Sequence, residues 1–146
     1  ELVRLKNERN SIFFILKDKD KNILSFGFLK PIIIKFCDLK YKVLGIRNII
    51  SVKKKKGYGS ILVKEMLKYL KENGKTGLGF TGSRVANFYK KNGFLIKQGL
   101  RNKFFKDYGT KKEDIAHWGI YVEGEDKFIT KILKSNSKIE MPSRKW

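Results

Sequence analysis

At Val52 the hydrophobic period of the chain changes. Over YKVLGIRNIISV, residues 41–52, apolar and β-branched side chains recur as they do in a strand. From Ser60 to Asn73 they fall at Leu62, Val63, Met66, Leu67 and Leu70, the spacing of one helix face, with lysine and glutamate opposite. Only KKKKGYG, four lysines and two glycines one residue apart, separates the two patterns. A strand passed to a helix across so short a turn calls for a sheet with helices packed on it.

The rest of the sequence extends that pattern. SIFFILK and ILSFGFLK read as strands joined by a turn at DKDKN, whose Asp18, Asp20 and Asn22 also have the spacing of the first EF-hand ligands. Ile23 stands where that loop needs glycine and Leu29 where it needs glutamate, so the stretch is expected to be a hairpin turn. IIIKFC after Pro31 reads as a further strand, turning at Asp38–Lys40 into YKVLGIRNIISV. After the first helix, which Asn73–Gly74 ends, come a strand GLGFTG and a helix SRVANFYKK with Ser83 as N-cap and Asn92–Gly93 as stop. FLIKQ is a strand, RNKFFKDYGTKKED a polar loop, IAHWGIYVEG a strand and EDKFITKILKS a terminal helix. The first ten residues read as short and polar. The expected fold is α/β, a single mixed, mainly antiparallel sheet flanked by helices, in one domain over 1–146.

Composition narrows the class. The formal net charge is +20, but only six of the 34 basic residues are arginine. Residues chosen to fork onto phosphates or bases would include more arginine, so much of the charge reads as lysine filling exposed positions. An anionic partner stays open beside that reading. No apolar run approaches the ~20 residues that span a bilayer, so no membrane role is expected. Cys37 is the sole cysteine, which removes an intramolecular disulfide and a thiolate zinc site; no metal is expected. No signal peptide is visible and a cytoplasmic protein is the expectation, although the chain begins at Glu1 rather than Met.

The glycine turn has a chemistry of its own. A helix start exposes unpaired N–H groups and the positive end of the dipole, and glycines ahead of it let a phosphate approach the backbone. Lys53 to Lys56 add charge there, so the stretch suits a pyrophosphate. It is not a Walker A loop, and Leu62 stands where a dinucleotide fingerprint needs its third glycine. A nucleic-acid patch is the alternative, without any helix-turn-helix, RNP1 or zinc pattern to support it.

FYKKNGF at 88–94 follows one helix and one strand later. Lys54-Lys55-Lys56-Gly57-Tyr58-Gly59 together with Phe88-Tyr89-Lys90-Lys91-Asn92-Gly93-Phe94 resembles the paired signals of the GNAT acetyltransferase superfamily, [QR]-x-x-G-x-[GA] and a helix ending in Tyr before a Gly-Phe pair. The resemblance covers roughly residues 11 to 98. It implies acetyl-coenzyme A as cosubstrate. Backbone N–H groups around Lys54, Lys55, Lys56, Gly57, Tyr58, Gly59 and Ser60 would hold the pyrophosphate. The pantetheine arm would run between the strand ending near Val52 and GLGFTG. Amides near Ile50, Ser51 and Val52 would form an oxyanion hole. A primary amine would attack the thioester directly, and Tyr89 would protonate the leaving thiolate.

The sequence departs from the family in places. Lys54 replaces Gln or Arg, and Gly82 stands where the family often has asparagine seven residues before the tyrosine; Asn87 is kept as a cofactor contact on its own account. Family members usually begin with a strand and two helices covering the acceptor site, whereas the first good strand here starts at residue 11. Either residues are missing in front, or that segment is absent and the acceptor site is expected to be open or completed by a partner. The strand YKVLGIRNIISV holds no acid, which leaves Glu123 and His117 as candidate bases. The acceptor stays open between a small molecule, a protein and an RNA-borne or ribosomal amine; a homodimer is allowed, and a basic nucleic-acid-binding module is the alternative function.

Overall fold

The computed structural model describes residues 1–53, 56–105 and 118–140. Its strands are β1 (Leu2–Lys6), β2 (Ile12–Lys17), β3 (Ile23–Phe36), β4 (Leu39–Ser51), β5 (Gly77–Thr81), β6 (Leu95–Gln98), β7 (Phe104–Phe105), β8 (Trp118–Val122) and β9 (Ile139–Glu140). The helices are α1 (Tyr58–Glu72), α2 (Ser83–Lys91) and α3 (Phe128–Lys134), with a 3₁₀ turn at Leu100–Lys103. Seven strands form one mixed sheet in the order β1-β2-β3-β4-β5-β8-β6; β7 and β9 pair separately. Only β4 and β5 run parallel within the main sheet.

Alternation sorts the side chains into two layers. Leu44 and Ile46 of β4 join Phe14, Leu29 and Ile120 under α1 and α2, whose Leu62, Val63, Met66 and Leu70 are fully buried. Each such burial contributes about 2 kcal/mol, which anchors the first turn of α1 against the sheet. Tyr41 and Val43, one residue out of phase, pack on the other side against Leu78, Leu100 and the α3 residues Phe128, Ile129 and Ile132. Tyr41 and Phe128 are in ring contact at 5.0 Å.

Beyond α3 the second face carries two cross-strand rows, Leu5–Phe13–Phe28–Arg47 and Val3–Ile15–Phe26–Ile50. Phe13 meets Phe26 and Phe28 at 5.9 and 5.2 Å, and Leu5 and Ile50 are exposed.

Four local expectations change. The polar loop expected from Arg101 begins with the 3₁₀ turn and β7, and its residues from 106 on lie outside the described residues. The opening residues form β1, because Leu2 packs on the core and Arg4 lies over the Tyr69 ring at 5.1 Å. The two strands expected on either side of Pro31 are one strand, β3. The Leu44 amide bonds toward Thr76, so its partner Pro31 points its nitrogen toward the β2 side, where pairing has ended at Leu29. Proline is tolerated at such an unpaired edge. Helix α2 is capped by Gly82 rather than Ser83, with no side-chain cap bond. The DKDKN turn is a hairpin whose Asp18 carboxylate accepts from the amides of Asp20 and Asn22 at 2.9 and 2.8 Å. Among the described residues no helix is long and apolar enough to cross a membrane.

Candidate functional site

β4 and β5 pair only at Leu44↔Gly77 and Gly45↔Leu78 and then separate. β4 also gains a residue against β3, since Phe28 faces Arg47 but Phe26 faces Ile50. Asn48 sits at this bulge with φ +48°, a left-handed conformation that asparagine accepts more readily than most residues. The bulge reverses the alternation that follows. The Val52 amide donates to Leu24 O at 3.0 Å, so the Ser51 amide turns to the side that β5 has left. Ser25 fixes this end of β4: its hydroxyl donates to Ile50 O at 3.1 Å and lies 3.2 Å from the Ser51 hydroxyl.

The parted strands open a cleft of about 680 Å³, within the ~300–1,000 Å³ of small-molecule sites. Ile46, Asn48, Ile49 and Ser51 of β4 form one wall and Phe80 and Thr81 of β5 the other. The start of α1, from Gly57 to Ser60, lines it together with Lys53, a stretch termed its mouth; Val85, Phe88 and Tyr89 of α2 and Ile120 complete the lining.

The start of α1 leaves its first amides without partners among the described residues. Gly57 caps α1 at φ +79°, a conformation L side chains rarely adopt, and no side chain caps the helix. Ile61 donates to Gly57 O at 3.1 Å, which leaves the amides of Tyr58, Gly59 and Ser60 ahead of the first intrahelical bond. The first turn has no acid, so nothing offsets the positive end of the dipole. At Gly59 the reason is room: a Cβ there would lie 3.1 Å from the Ser51 hydroxyl and 3.4 Å from the Phe88 ring. These residues fit a pyrophosphate-bearing ligand with an apolar arm reaching inward between β4 and β5.

Tyr89 is 5% exposed, held edge-on between Phe88 and Phe94 with centroids at 5.4 and 5.3 Å. Burial pushes its phenol well above the ordinary tyrosine value, with no charge or hydrogen bond contributing among the described residues. The hydroxyl is therefore protonated throughout the neutral range.

Of the residues read from the sequence, Ser51, Gly57, Tyr58, Gly59, Ser60 and Tyr89 border the cleft. Ile50 points to the opposite face, and Val52 is exposed with its amide engaged by β3, so of the three expected amides that of Ser51 is the one turned to the side β5 has left. Lys56 and Asn87 are exposed and do not line the cleft. Lys54, Lys55 and His117 lie outside the described residues. Glu123 does not line the cleft. Its carboxylate accepts from the Ile129 amide at 3.0 Å and from the Thr130 amide and hydroxyl at 2.9 and 2.7 Å, tying down the start of α3. Asn48, Ile49, Phe80 and Thr81 were not read from the sequence. Asparagine inside an apolar strand was the one signal for the bulge. Among the described residues no three metal-binding side chains gather.

No protein-family model and no curated protein matches the chain. Solved structures do. A GNAT-family acetyltransferase from Staphylococcus aureus is 16% identical, with 77% of this chain and 68% of that one covered and a TM-score of 0.54. The GNAT-family YhbS of Escherichia coli, solved in complex with CoA, is 12% identical over 89% of this chain and 66% of its own, TM-score 0.57. A mutant of the spermidine N-acetyltransferase SpeG from Vibrio cholerae is 15% identical over 80% and 66%, TM-score 0.55. The chain spans about two thirds of the length of each. At these identities the likeness is one of fold, and the fold is that of the GNAT N-acetyltransferases.

Proposed function

We propose that this chain is a single-domain N-acetyltransferase that moves an acetyl group from acetyl-CoA to a primary amine in a ternary complex. The observation that carries the reading is the cleft between β4 and β5, which is lined both by the bare amides at the start of α1 and by a buried phenol. Two neighbours support the choice of ligand: YhbS was solved with CoA, and an AtaT toxin mutant, 12% identical with a TM-score of 0.51, with acetyl-CoA.

In this reading the amides of Tyr58, Gly59 and Ser60 hold the pyrophosphate, and Lys53 adds charge beside them. The Ser51 amide faces the carbonyl oxygen as negative charge develops on it. The amine nitrogen forms the new C–N bond, the C–S bond breaks, and the Tyr89 hydroxyl gives its proton to the sulfur. The amine's surplus proton leaves to solvent, and solvent returns a proton to the Tyr89 phenolate for the next turnover. Burial raises the Tyr89 phenol, which keeps it in the protonated form from which it donates.

The test is thiol release from acetyl-CoA in the presence of a panel of amines: a polyamine, an N-terminal peptide amine, a lysine peptide and an aminoacyl ester of RNA. Amine-dependent release with the acetylated product supports the reading. Binding to RNA without release from any acceptor favours a basic nucleic-acid-binding module, to which the +20 charge also points.

A further inference from the structure

Gly27 stands in the middle of β3, paired with Phe14 of β2. Its φ is an ordinary one, so backbone conformation does not call for glycine here. Space does. A Cβ on Gly27 would collide with Ile49 Cδ1 and come within 3.2 Å of Leu62 Cδ2. On the β4 side Gly27 falls in the interval between Phe26↔Ile50 and Phe28↔Arg47, opposite the extra residue of the bulge. The Ile49 side chain lies back across this gap, wedged between β3 and α1. It touches the main core and at the same time borders the cleft.

We propose that Gly27 is a positioning residue for the cleft, a notch that receives the Ile49 side chain and thereby keeps the space between β4 and β5 free for the ligand's apolar arm. The ligand named here rests on the acetyl-CoA reading above. The packing decides which group yields if the notch is filled. Leu62 is fully buried, on a helix whose neighbouring Val63 and Met66 are also fully buried, and has nowhere to go. β3 is held on both sides by β2 and β4. Only Ile49 has open space beside it, and that space is the cleft. A methyl group at position 27 therefore displaces Ile49 into the path between the α1 mouth and Tyr89.

Four proteins test this: wild type, Gly27→Ala, Ile49→Val, and the double variant. Ile49→Val removes Cδ1, the atom that a Cβ at 27 would strike, and leaves Ile49 Cα at an ordinary 3.6 Å. CoA affinity is measured by calorimetry and melting temperature beside it. Contacts of the position-49 methyl groups are followed by nuclear Overhauser effects. Gly27→Ala is expected to weaken CoA binding by about tenfold or more and the double variant to recover it, as for a methyl that intrudes on a close-fitting site. In wild type the Ile49 methyl is expected to contact the Gly27 α-protons; in Gly27→Ala it is expected to contact Val85 or Phe88 across the cleft. Unchanged affinity in a folded Gly27→Ala protein overturns the proposal, as does a folded double variant that stays weak. If Gly27→Ala alone does not fold, the double variant decides in the same way. If wild type binds no CoA, the acetyl-CoA reading fails, and the methyl contacts alone decide the notch: an Ile49 that does not move overturns it.

Discussion

Tyr89→Phe removes one oxygen from the lining of the cleft and leaves the ring. The ring is fixed by edge-on contacts to Phe88 and Phe94, at interplanar angles of 75° and 86°, which phenylalanine can keep. The hydroxyl has no hydrogen-bond partner among the described residues, so its loss breaks no bond and should leave stability unchanged or slightly raised. CoA affinity should hold as well, because the proposed grip on the pyrophosphate uses the amides of Tyr58, Gly59 and Ser60 and not the phenol. Turnover is another matter. General-acid assistance is worth roughly 10²–10⁴-fold, equivalent to about 3–5 kcal/mol of barrier. The expected pattern is a kcat lower by that factor, a KM near wild type and a melting temperature unmoved or slightly raised. Steady-state kinetics on an accepted amine, with differential scanning calorimetry on the same samples, gives all three. Unchanged kcat in a well-folded Phe variant refutes the proton-donor role and leaves proximity and the Ser51 amide to carry the rate.

Other consequences follow from the same geometry. Placing valine at both Gly57 and Gly59 should abolish CoA binding by calorimetry, since one position holds φ +79° and the other sits 3.1 Å from the Ser51 hydroxyl; Lys53→Ala or Lys56→Ala alone should cost about tenfold or less, as a single exposed charge does. Glu123→Ala loses three hydrogen bonds at the start of α3 and should lower stability by about 1–2 kcal/mol, a few degrees in a thermal melt. Its kcat and pH profile should match wild type, and loss of a rising limb on the acid side would show Glu123 to be the base after all. Burial raises the Tyr89 phenol above its free value of about 10, so the acid form persists past that pH. The kcat profile should then rise as the acceptor amine deprotonates, with no falling limb from Tyr89 below pH ~10. The same shift stabilises the fold fully below the unfolded value of ~10 and is lost as pH rises through the higher folded value, which alkaline unfolding curves can check.

The period change at Val52 was enough to place a strand, a turn and a helix, because α1 buries one clean face and β4 ends where its apolar run ends. What composition hid is instructive. β1 reads as polar, since Arg4 and Lys6 interrupt its apolar residues; it forms because Leu2 reaches the core and Arg4 covers Tyr69. Pro31 reads as a break, and its tolerance depends on β2 ending two residues earlier in the register, a fact of pairing rather than of local sequence. In the cleft, the residues at the mouth were legible because glycines ahead of a helix have a distinct chemistry. The walls were not. Ile49, Phe80 and Thr81 look like any strand residues until β4 and β5 part, and the bulge at Asn48 that directs the Ser51 amide is set by a register shift across two strands. Glu123 was a plausible base by type alone, and only its three bonds to α3 show what it does.

The account stands on the cleft between β4 and β5 being a CoA site. Calorimetric titration of the wild-type protein with CoA, followed by a crystal structure of the complex, tests that claim most directly. One CoA per chain is expected, with a dissociation constant between about 1 μM and 1 mM. The pyrophosphate should lie against the amides of Tyr58, Gly59 and Ser60, and the thiol should lie near the Tyr89 hydroxyl. No binding at millimolar CoA, or density for CoA anywhere but this cleft, would contradict it.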